Sequence, residues 1–527
     1  MRGSNSTSTH DLALGLAMAL LFAGRATSYG LLADDAFITF RYADHLAHGL
    51  GLSYNPGERV EGTSSLLWTL LLAGGSRIGL APPDVAPVLG VLSGASCLAI
   101  VYWIARRVLG CPRGAAFAGV AVLALNPSFA FWAASGMETA GFAVLLVATW
   151  ALVCSRMVDQ PRGAVLLAGV ALLLAIARPE GLAVAVLVPV GLGLRRVGRR
   201  PLLLATGLLW ASVAGVLVWR WAFYGVLLPN PVYAKIAPTT ATALRGFAYL
   251  WAFLRDDGVI WLMPLVLLVN YRSGPAVSLV AIVAGYAALV VVAGGDGLYR
   301  YRLMAHVMPL IALAVADGIG RLWRAKPRWA VASGLLVVGA IASPLFERGF
   351  FRDYTVQQVR EWEERWDQVG RALRASVPRR TVLATNVAGR VPYRSRLYTV
   401  DLLGLTDATI ARSPVIDSGK GYAGHERADP DYVLAKRPDL IYFSVLDGMP
   451  PGLSCSVQAN ATMLRRGSLF RYAALFERPE FLRGYGPAEL LLGSGERATL
   501  LVRQDLRPRP DRRHRLLVGR WCDADGR

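Results

Sequence analysis

The chain has 527 residues, of which 54% are hydrophobic and only 17% charged, with a formal net charge of +20. Soluble domains carry nearer a quarter charged residues, so the composition excludes an ordinary soluble enzyme and points to a membrane protein. The positive excess does not make a nucleic-acid binder, because the arginines fall in short clusters between apolar runs, without a continuous basic face.

Taken in order, the apolar runs define a topology. The first, at 11–27, ends in small residues near Ala23–Ser28 that resemble a signal-peptide end. It is read instead as an uncleaved helix, because it delivers a polar cluster directly to the membrane surface. Leu66–Leu80 is shorter than the about 20 residues a span needs. Further runs lie near 85–106, 114–130, 139–156, 163–178, 181–195, 201–222, 258–271, 275–294, 303–323 and 328–346. With Leu66–Leu80 laid along the interface, the expectation is eleven spans. The arginine-bearing loops at 106–113, 156–162, 195–200, 272 and 321–328 then share the cytoplasmic side, as the positive-inside rule requires. The first loop (28–82), the loop 223–257, the loop 294–302 and everything after about 347 fall on the outer face of a bacterial plasma membrane.

Composition changes after Phe346. Residues 347–527 are rich in charge and hold no run long enough to span. A helix is expected over Val356–Ala375 and strands over Arg380–Leu383, Asp439–Val445 and Ala498–Val502. The expected fold is therefore a polytopic α-helical membrane domain, 1–346, followed by a soluble α/β domain. Cys97, Cys111 and Cys154 fall in or beside spans. Cys455 and Cys522 lie in the outer domain, where oxidising conditions permit a disulfide, although spacing alone does not decide it. Six histidines, with neither CxxC nor HExxH, argue against a zinc site; without a P-loop or GxGxxG fingerprint a nucleotide cofactor has no seat.

The run from Leu31 to Trp68 carries the aspartate pair Asp34–Asp35, Arg41, Tyr42, an Asn55-Pro56-Gly57 turn, Glu58, Arg59 and Glu61. Charged groups are costly near hydrocarbon, so such a cluster marks a water-filled site. The plainer alternative is that Asp34 or Asp35 caps the helix that follows. Other segments on the same face repeat the pattern: Glu138 in SGMET, Arg178 and Glu180 in ARPEG, Asn230, Tyr233 and Lys235 in YGVLLPNPVYAK, and Asp296, Arg300 and Arg302 in GGDGLYRYR. Singly, each has a structural reading, as a helix-dipole partner, a turn or a snorkelling cation.

The chemistry that fits is transfer of a sugar from a lipid phosphate. Arg41, Arg178, Lys235, Arg300 and Arg302 are candidates to hold the phosphate, with Arg300, Arg302 and Lys235 expected to converge on it and Asp296 and Glu138 to orient them. Asp34 and Asp35 supply a base for the acceptor hydroxyl or stabilise charge on the sugar, in unequal roles. One of them could also hold a divalent metal; no cofactor is certain. Asp401, Asp407 and His425 are the candidates in the outer domain.

The segment DDAFITFRYADHLAHGLGLSYNPGERVEGTSSLLW, with SGMET, ARPEG, YGVLLPNPVYAK and GGDGLYRYR in order, resembles the GT-C polytopic glycosyltransferases. It is most similar to the terminal β-(1→2) arabinofuranosyltransferases and the related flagellar motor control proteins. VDLLGLTDATIAR, GHERAD and DYVLAKRPDLIYF extend the resemblance into the outer domain. It implies a GT-C fold, catalytic aspartate at Asp34–Asp35, a polyprenyl-phosphate sugar donor and a cell-envelope glycan acceptor, with an arabinofuranose-like pentose favoured. Thr63-Ser64-Ser65 departs from the family's aromatic and asparagine after the Glu-Gly, which bears on the sugar preferred. Two other functions share some of these features. A lipid-linked-sugar transporter would also place charge in the membrane, but with internal repeats that are not seen here. A non-enzymatic factor in flagellar motor or envelope assembly would leave glycan unchanged when the aspartates are replaced.

Overall fold

A computed structural model describes residues 9–194, 197–269, 273–346, 354–415, 423–444, 456–466, 469–509 and 514–522. Its first part is helical. Helices α1 (Thr9–Ser28), α4 (Pro82–Arg107), α10 (Arg199–Tyr224) and α14 (Gly274–Ala293) are long and apolar enough to cross a membrane. They turn Leu12, Leu16, Leu92, Trp103, Trp210 and Val292 outward, as lipid-facing helices do. Shorter apolar helices are α7 (Thr139–Cys154), α8 (Pro161–Ala177), α9 (Pro179–Leu194) and α17 (Trp329–Ala342). At the centre runs α16 (Met308–Ala325), buried at every position from Met308 to Gly320.

Two expected spans differ. The run at 114–130 is a pair, α5 (Arg113–Leu125) and α6 (Pro127–Ala134), bent by 58°. The cause is local: Pro127 has no N–H to continue the ladder, and the Asn126 side chain caps α6 by accepting from the Phe129 N–H at 2.8 Å. The run at 258–271 is, over its described residues, a 3₁₀ turn at Val259–Leu262 and the short helix α13 (Met263–Leu267), too short to cross a roughly 30 Å core. Leu66–Leu80 becomes α3 (Leu66–Arg77), whose 12 residues are likewise below spanning length.

One end of the bundle carries α2 (Asp34–Ala47), α3, α11 (Asn230–Lys235), α12 (Thr240–Asp256) and α15 (Arg302–Ala305). The C-terminal domain sits on this end. Its long helix α18 (Val356–Ser376) packs Val369, Ala372 and Leu373 on a mixed six-stranded sheet of order β2-β1-β3-β5-β4-β6. The strands are β1 (Val382–Thr385), β2 (Tyr398–Asp401), β3 (Leu440–Tyr442), β4 (Tyr485–Leu491), β5 (Arg497–Arg503) and β6 (Leu516–Val518). β1 pairs parallel with β2 and β3, and the remaining pairs are antiparallel. The short helix α19 (Arg390–Ser395) joins β1 to β2 and faces α2. The expected α18, β1, β3 and β5 are present; β2, β4 and β6 are additional. Cys455 lies outside the described residues; Cys97, Cys111 and Cys154 form no disulfide among the described residues.

Candidate active site

Helix α2 starts after Ala33, whose backbone is extended and whose side chain makes no cap. Neither aspartate is the cap residue. Both lie in the first turn, where a carboxylate complements the helix dipole. Successive helical residues point about 100° apart, and here that separates them between two environments.

Asp34 faces the C-terminal domain. Its Oδ1 accepts from the Arg390 N–H (2.6 Å) and its Oδ2 from the Gly389 N–H (3.0 Å). A Cβ on Gly389 would sit 1.8 Å from the Asp34 carbonyl oxygen, so only glycine allows this approach. The Asp34 N–H donates to Glu363 Oε1 (3.1 Å), which also accepts from the Tyr299 hydroxyl (2.7 Å). Arg390 pairs with the other Glu363 oxygen and donates to the Leu32 carbonyl (2.7 Å). Burial, with Glu363 and Asp35 adding, pushes the Asp34 carboxyl up to about 8, against the pull of the backbone donors.

Asp35 lines a cavity of about 420 Å³ together with Arg178, Glu180, Lys235, Asp296 and Arg302. One oxygen, Oδ2, meets Lys235 Nζ at 3.5 Å and Arg302 at 3.8 Å. Arg302 is held by Asp296 (2.7 Å) and lies over the Trp132 ring, 5.6 Å from its centroid. Arg178 forks onto Glu180 (3.1 and 2.9 Å) and pairs with the buried Glu138, leaving two of its five N–H groups. Burial works to raise Asp296, but Arg302, Lys235 and Arg178 outweigh it and hold the carboxyl below its usual range. Gly294 and Gly295 make the loop's entry at positive φ (+81° and +78°), a turn that suits glycine. Arg300 also turns left-handed (φ +40°) and reaches Asp257 at 3.9 Å instead of the cavity.

A second cavity of about 720 Å³ shares Ala183 and Leu289 as walls with the first. It lies between α7, α9 and α14 and is lined almost wholly by apolar side chains, such as Leu146, Val153, Leu187 and Ile282. Charged chamber and apolar chamber thus adjoin.

Of the proposed phosphate ligands, Arg178, Lys235 and Arg302 come together, whereas Arg300 and Arg41 do not. Arg41 is buried and donates to the carbonyls of Tyr54 (2.7 Å), Pro392 (2.8 Å) and Leu397 (2.7 Å) and to Asn55 (3.3 Å). The supporting residues of the first loop are mostly fastenings. Asn55 exchanges two hydrogen bonds with the Thr399 backbone (2.9 and 3.0 Å), acting as an extra strand edge beside β2. Glu58 takes the Tyr398 hydroxyl, and Tyr42 grips the Val60 carbonyl (2.5 Å) and the Gly62 N–H (2.8 Å). Glu61, which burial raises to about 7 against the pull of Arg220, pairs with that buried arginine at 3.0 Å. Asn230 donates to the carbonyls of Gly404, Leu405 and Asp407 (2.7, 3.1 and 3.2 Å).

In the C-terminal domain, Asp401 closes a turn by accepting from the Leu403 and Thr406 N–H groups (2.9 and 2.8 Å), and burial raises it to about 6. Asp407 accepts from the Thr409 and Ile410 N–H groups and the Tyr432 hydroxyl (2.9, 3.1 and 3.0 Å). Neither these two nor His425 lines the reaction cavity. Thr63 and Ser64, noted in the sequence for their bearing on the sugar preferred, line its wall; sequence reading missed Thr39 beside them and the Glu363–Tyr299–Arg390 clamp. Among the described residues no three His, Cys, Asp or Glu side chains group as a metal site. Asp35 and Asp296 each face a cation, an arrangement that does not suit a divalent ion.

The geometry has counterparts. The structure matches the oligosaccharyltransferase of Archaeoglobus fulgidus with a TM-score of 0.51 at 11% identity, over 94% of this chain and 75% of that one. It matches apo ArnT from Cupriavidus metallidurans with a TM-score of 0.50 at 15% identity, over 76% and 87%. The fold is that of the GT-C glycosyltransferases, in a multi-pass membrane protein. In sequence, the chain is 30% identical over 274 residues to the terminal β-(1→2)-arabinofuranosyltransferase of Mycobacterium tuberculosis. That match spans 48% of this chain and 42% of the relative, less than half the relative's length. Residues 352–484 match a family described only as a domain of unknown function, DUF8728.

Proposed function

We propose that the protein transfers a sugar, by preference an arabinofuranose-like pentose, from a polyprenyl-phosphate donor to a cell-envelope glycan. The observation that carries this reading is the junction of the two chambers: a cavity with three cations and a reactive carboxylate shares a wall with a large apolar one. A lipid phosphate needs both. Its prenyl tail takes the apolar chamber, and its phosphate lies at Lys235, Arg302 and the two remaining Arg178 donors. The partial match to an arabinofuranosyltransferase supports the choice of sugar.

Lys235 and Arg302 hold Asp35 at 3.5 and 3.8 Å, longer than tight charge-assisted bonds. An arriving phosphate draws these donors away and leaves Asp35 able to accept a proton. The acceptor hydroxyl then attacks the anomeric carbon and gives its proton to Asp35. The bond from that carbon to the phosphate oxygen breaks, and its electron pair leaves on the polyprenyl phosphate, whose charge the cations stabilise. Asp34 has no part in the proton transfer: it fixes the start of α2.

The active face and the C-terminal domain belong on the outer side of the plasma membrane in this reading. The opposite end carries Arg106, Arg107, Arg113 and Arg324, with Arg113 paired to Asp11 near the start of α1. Cysteine labelling at Gly198 tests it, since reaction from outside intact cells would reverse the orientation. The activity itself is tested with the full chain in nanodiscs, supplied with decaprenyl-phosphate arabinose or a nucleotide-linked arabinose and an acceptor mixture of neutral arabinan and acidic envelope oligosaccharides. Transfer from the lipid phosphate alone is expected. Turnover of only the nucleotide sugar, or of neither, would overturn the proposal.

A further inference from the structure

Two smaller cavities, of about 330 and 370 Å³, flank the reaction cavity on the seam between the 224–236 segment and the C-terminal domain. They share Arg412. The first also has Arg59, Tyr224 and Asn230 on its wall; the second has Tyr233 and Arg427. The second shares Val232 and Ile236 with the reaction cavity, so the three are neighbours along α11.

Their charge is unlike that of the reaction cavity. There, Arg178, Lys235 and Arg302 each face a carboxylate. Arg59, Arg412 and Arg427 form no ion pair among the described residues. Glu61 also lines the first cavity but is engaged by Arg220 (3.0 Å); Glu426, next to Arg427, is engaged by Arg245 (2.8 Å), and Asp407 by backbone N–H groups and Tyr432. The arginines are nonetheless held in place. Arg59 lies over Phe223 (5.1 Å) and Arg412 over Tyr233 (5.0 Å), while Arg412 and Arg427 each donate to one carbonyl, of Ala408 and Ser413. An arginine stacked on a ring keeps its edge N–H groups for a planar anion.

We propose that this cleft receives the glycan acceptor and that the acceptor is an acidic saccharide, its carboxylate or phosphate read by Arg412 with Arg59 and Arg427. The inference deepens the donor–acceptor reading above and rests on it. Three cations with no ion pair among the described residues supply the anion site, and the aromatic side chains of Tyr224 and Tyr233 on its walls suit a sugar. A saccharide is favoured over a lipid headgroup because Ala408, Ala411, Arg412 and Arg427 of the C-terminal domain wall the cleft and it abuts the place where an acceptor hydroxyl must meet Asp35.

The test is binding of trigalacturonate and of its neutral methyl ester to the full chain in phosphatidylcholine nanodiscs, alongside a phosphorylated trisaccharide. At least one acidic probe is expected to bind about tenfold or more tightly than the ester, and Arg412→Gln with Arg427→Gln should abolish that preference. Thermal unfolding and decaprenyl phosphate binding should be unchanged in this double variant, which separates a lost contact from a lost fold. Equal binding of acid and ester, or a preference that survives in the double variant, would overturn the proposal. Displacement by phosphatidylglycerol but not by saccharide would also overturn it and assign the cleft to lipid. Acid-selective binding without any transfer from a lipid phosphate would count against the donor reading and leave the cleft standing.

Discussion

The docking seam and the reaction cavity differ in how tightly their charges are satisfied. On the seam, Asp34 and Arg41 hold backbone groups of the C-terminal domain at 2.6 to 3.0 Å. In the cavity, Asp35 meets its cations at 3.5 and 3.8 Å. Both regions draw on one helix, and the two aspartates are adjacent in sequence. A buried polar group hydrogen-bonded this closely is a structural fastening, because losing a partner leaves it uncompensated. A charge held loosely beside a cavity keeps the capacity to react. Polar content alone does not tell these apart.

Three variants sharpen this contrast. The largest effect is expected from Lys235→Gln combined with Arg302→Gln: transfer should fall about a hundredfold or more, since charged hydrogen bonds contribute roughly 1.5–3 kcal/mol each. Steady-state kinetics with varied donor will read it, and wild-type donor kinetics would move the phosphate elsewhere. Next, Arg41→Ala should destabilise the protein by at least about 3 kcal/mol by leaving carbonyls of both domains without donors. Thermal unfolding measures this, and an unchanged midpoint would deny the seam its role. Smaller is the expected effect of Glu363→Gln, a positioning change: kcat should drop about tenfold at constant donor KM, with faster hydrogen exchange at 389–395. A loss confined to donor KM would instead put Glu363 in the binding site.

The weakest effect concerns pH. The Asp34 carboxyl is raised to about 8 from 3.8, so the assembled seam holds a proton that the unfolded chain releases. Stability from this group is complete below about pH 4 and declines as pH rises toward about 8. Exchange at 389–395, corrected for its intrinsic pH dependence, should therefore be slower near pH 6 than near pH 9. Asp34→Asn should flatten that slope, and a slope retained in this variant would assign it to another group.

Much of the fold was legible because hydrophobic length and arginine placement report on membranes directly. The bend at Asn126–Pro127 could also have been read, since the proline and its cap are in plain sight. β2 and β6 were not read, although β1 and β3, equally short, were; nor was the seven-residue β4, which carries Gly486 and Pro487 near its start. For the site, Asp35, Arg178, Lys235, Asp296 and Arg302 came out together because charges at the membrane ends of helices have few tolerable places. Arg41, Asn55 and Glu58 carried the same signal for another reason: their partners, Leu397, Thr399 and Tyr398, lie over 300 positions away. Nothing local distinguishes a fastening to a distant domain from a ligand to a substrate. Gly389 and Glu363 gave no signal, since their meaning depends wholly on Asp34 arriving beside them.

The central claim is that Asp35, and not its neighbour, accepts the proton. Single-turnover transfer from decaprenyl-phosphate arabinose by Asp35→Asn and Asp34→Asn variants, each with thermal unfolding measured on the same sample, tests it most directly. Asp35→Asn is expected to keep wild-type stability and donor binding but lose about 10²–10⁴-fold in rate, as removal of a general base does. Asp34→Asn is expected to lose rate only in proportion to lost stability. A stable Asp34→Asn protein with no turnover, beside an Asp35→Asn protein that still transfers sugar, would contradict it.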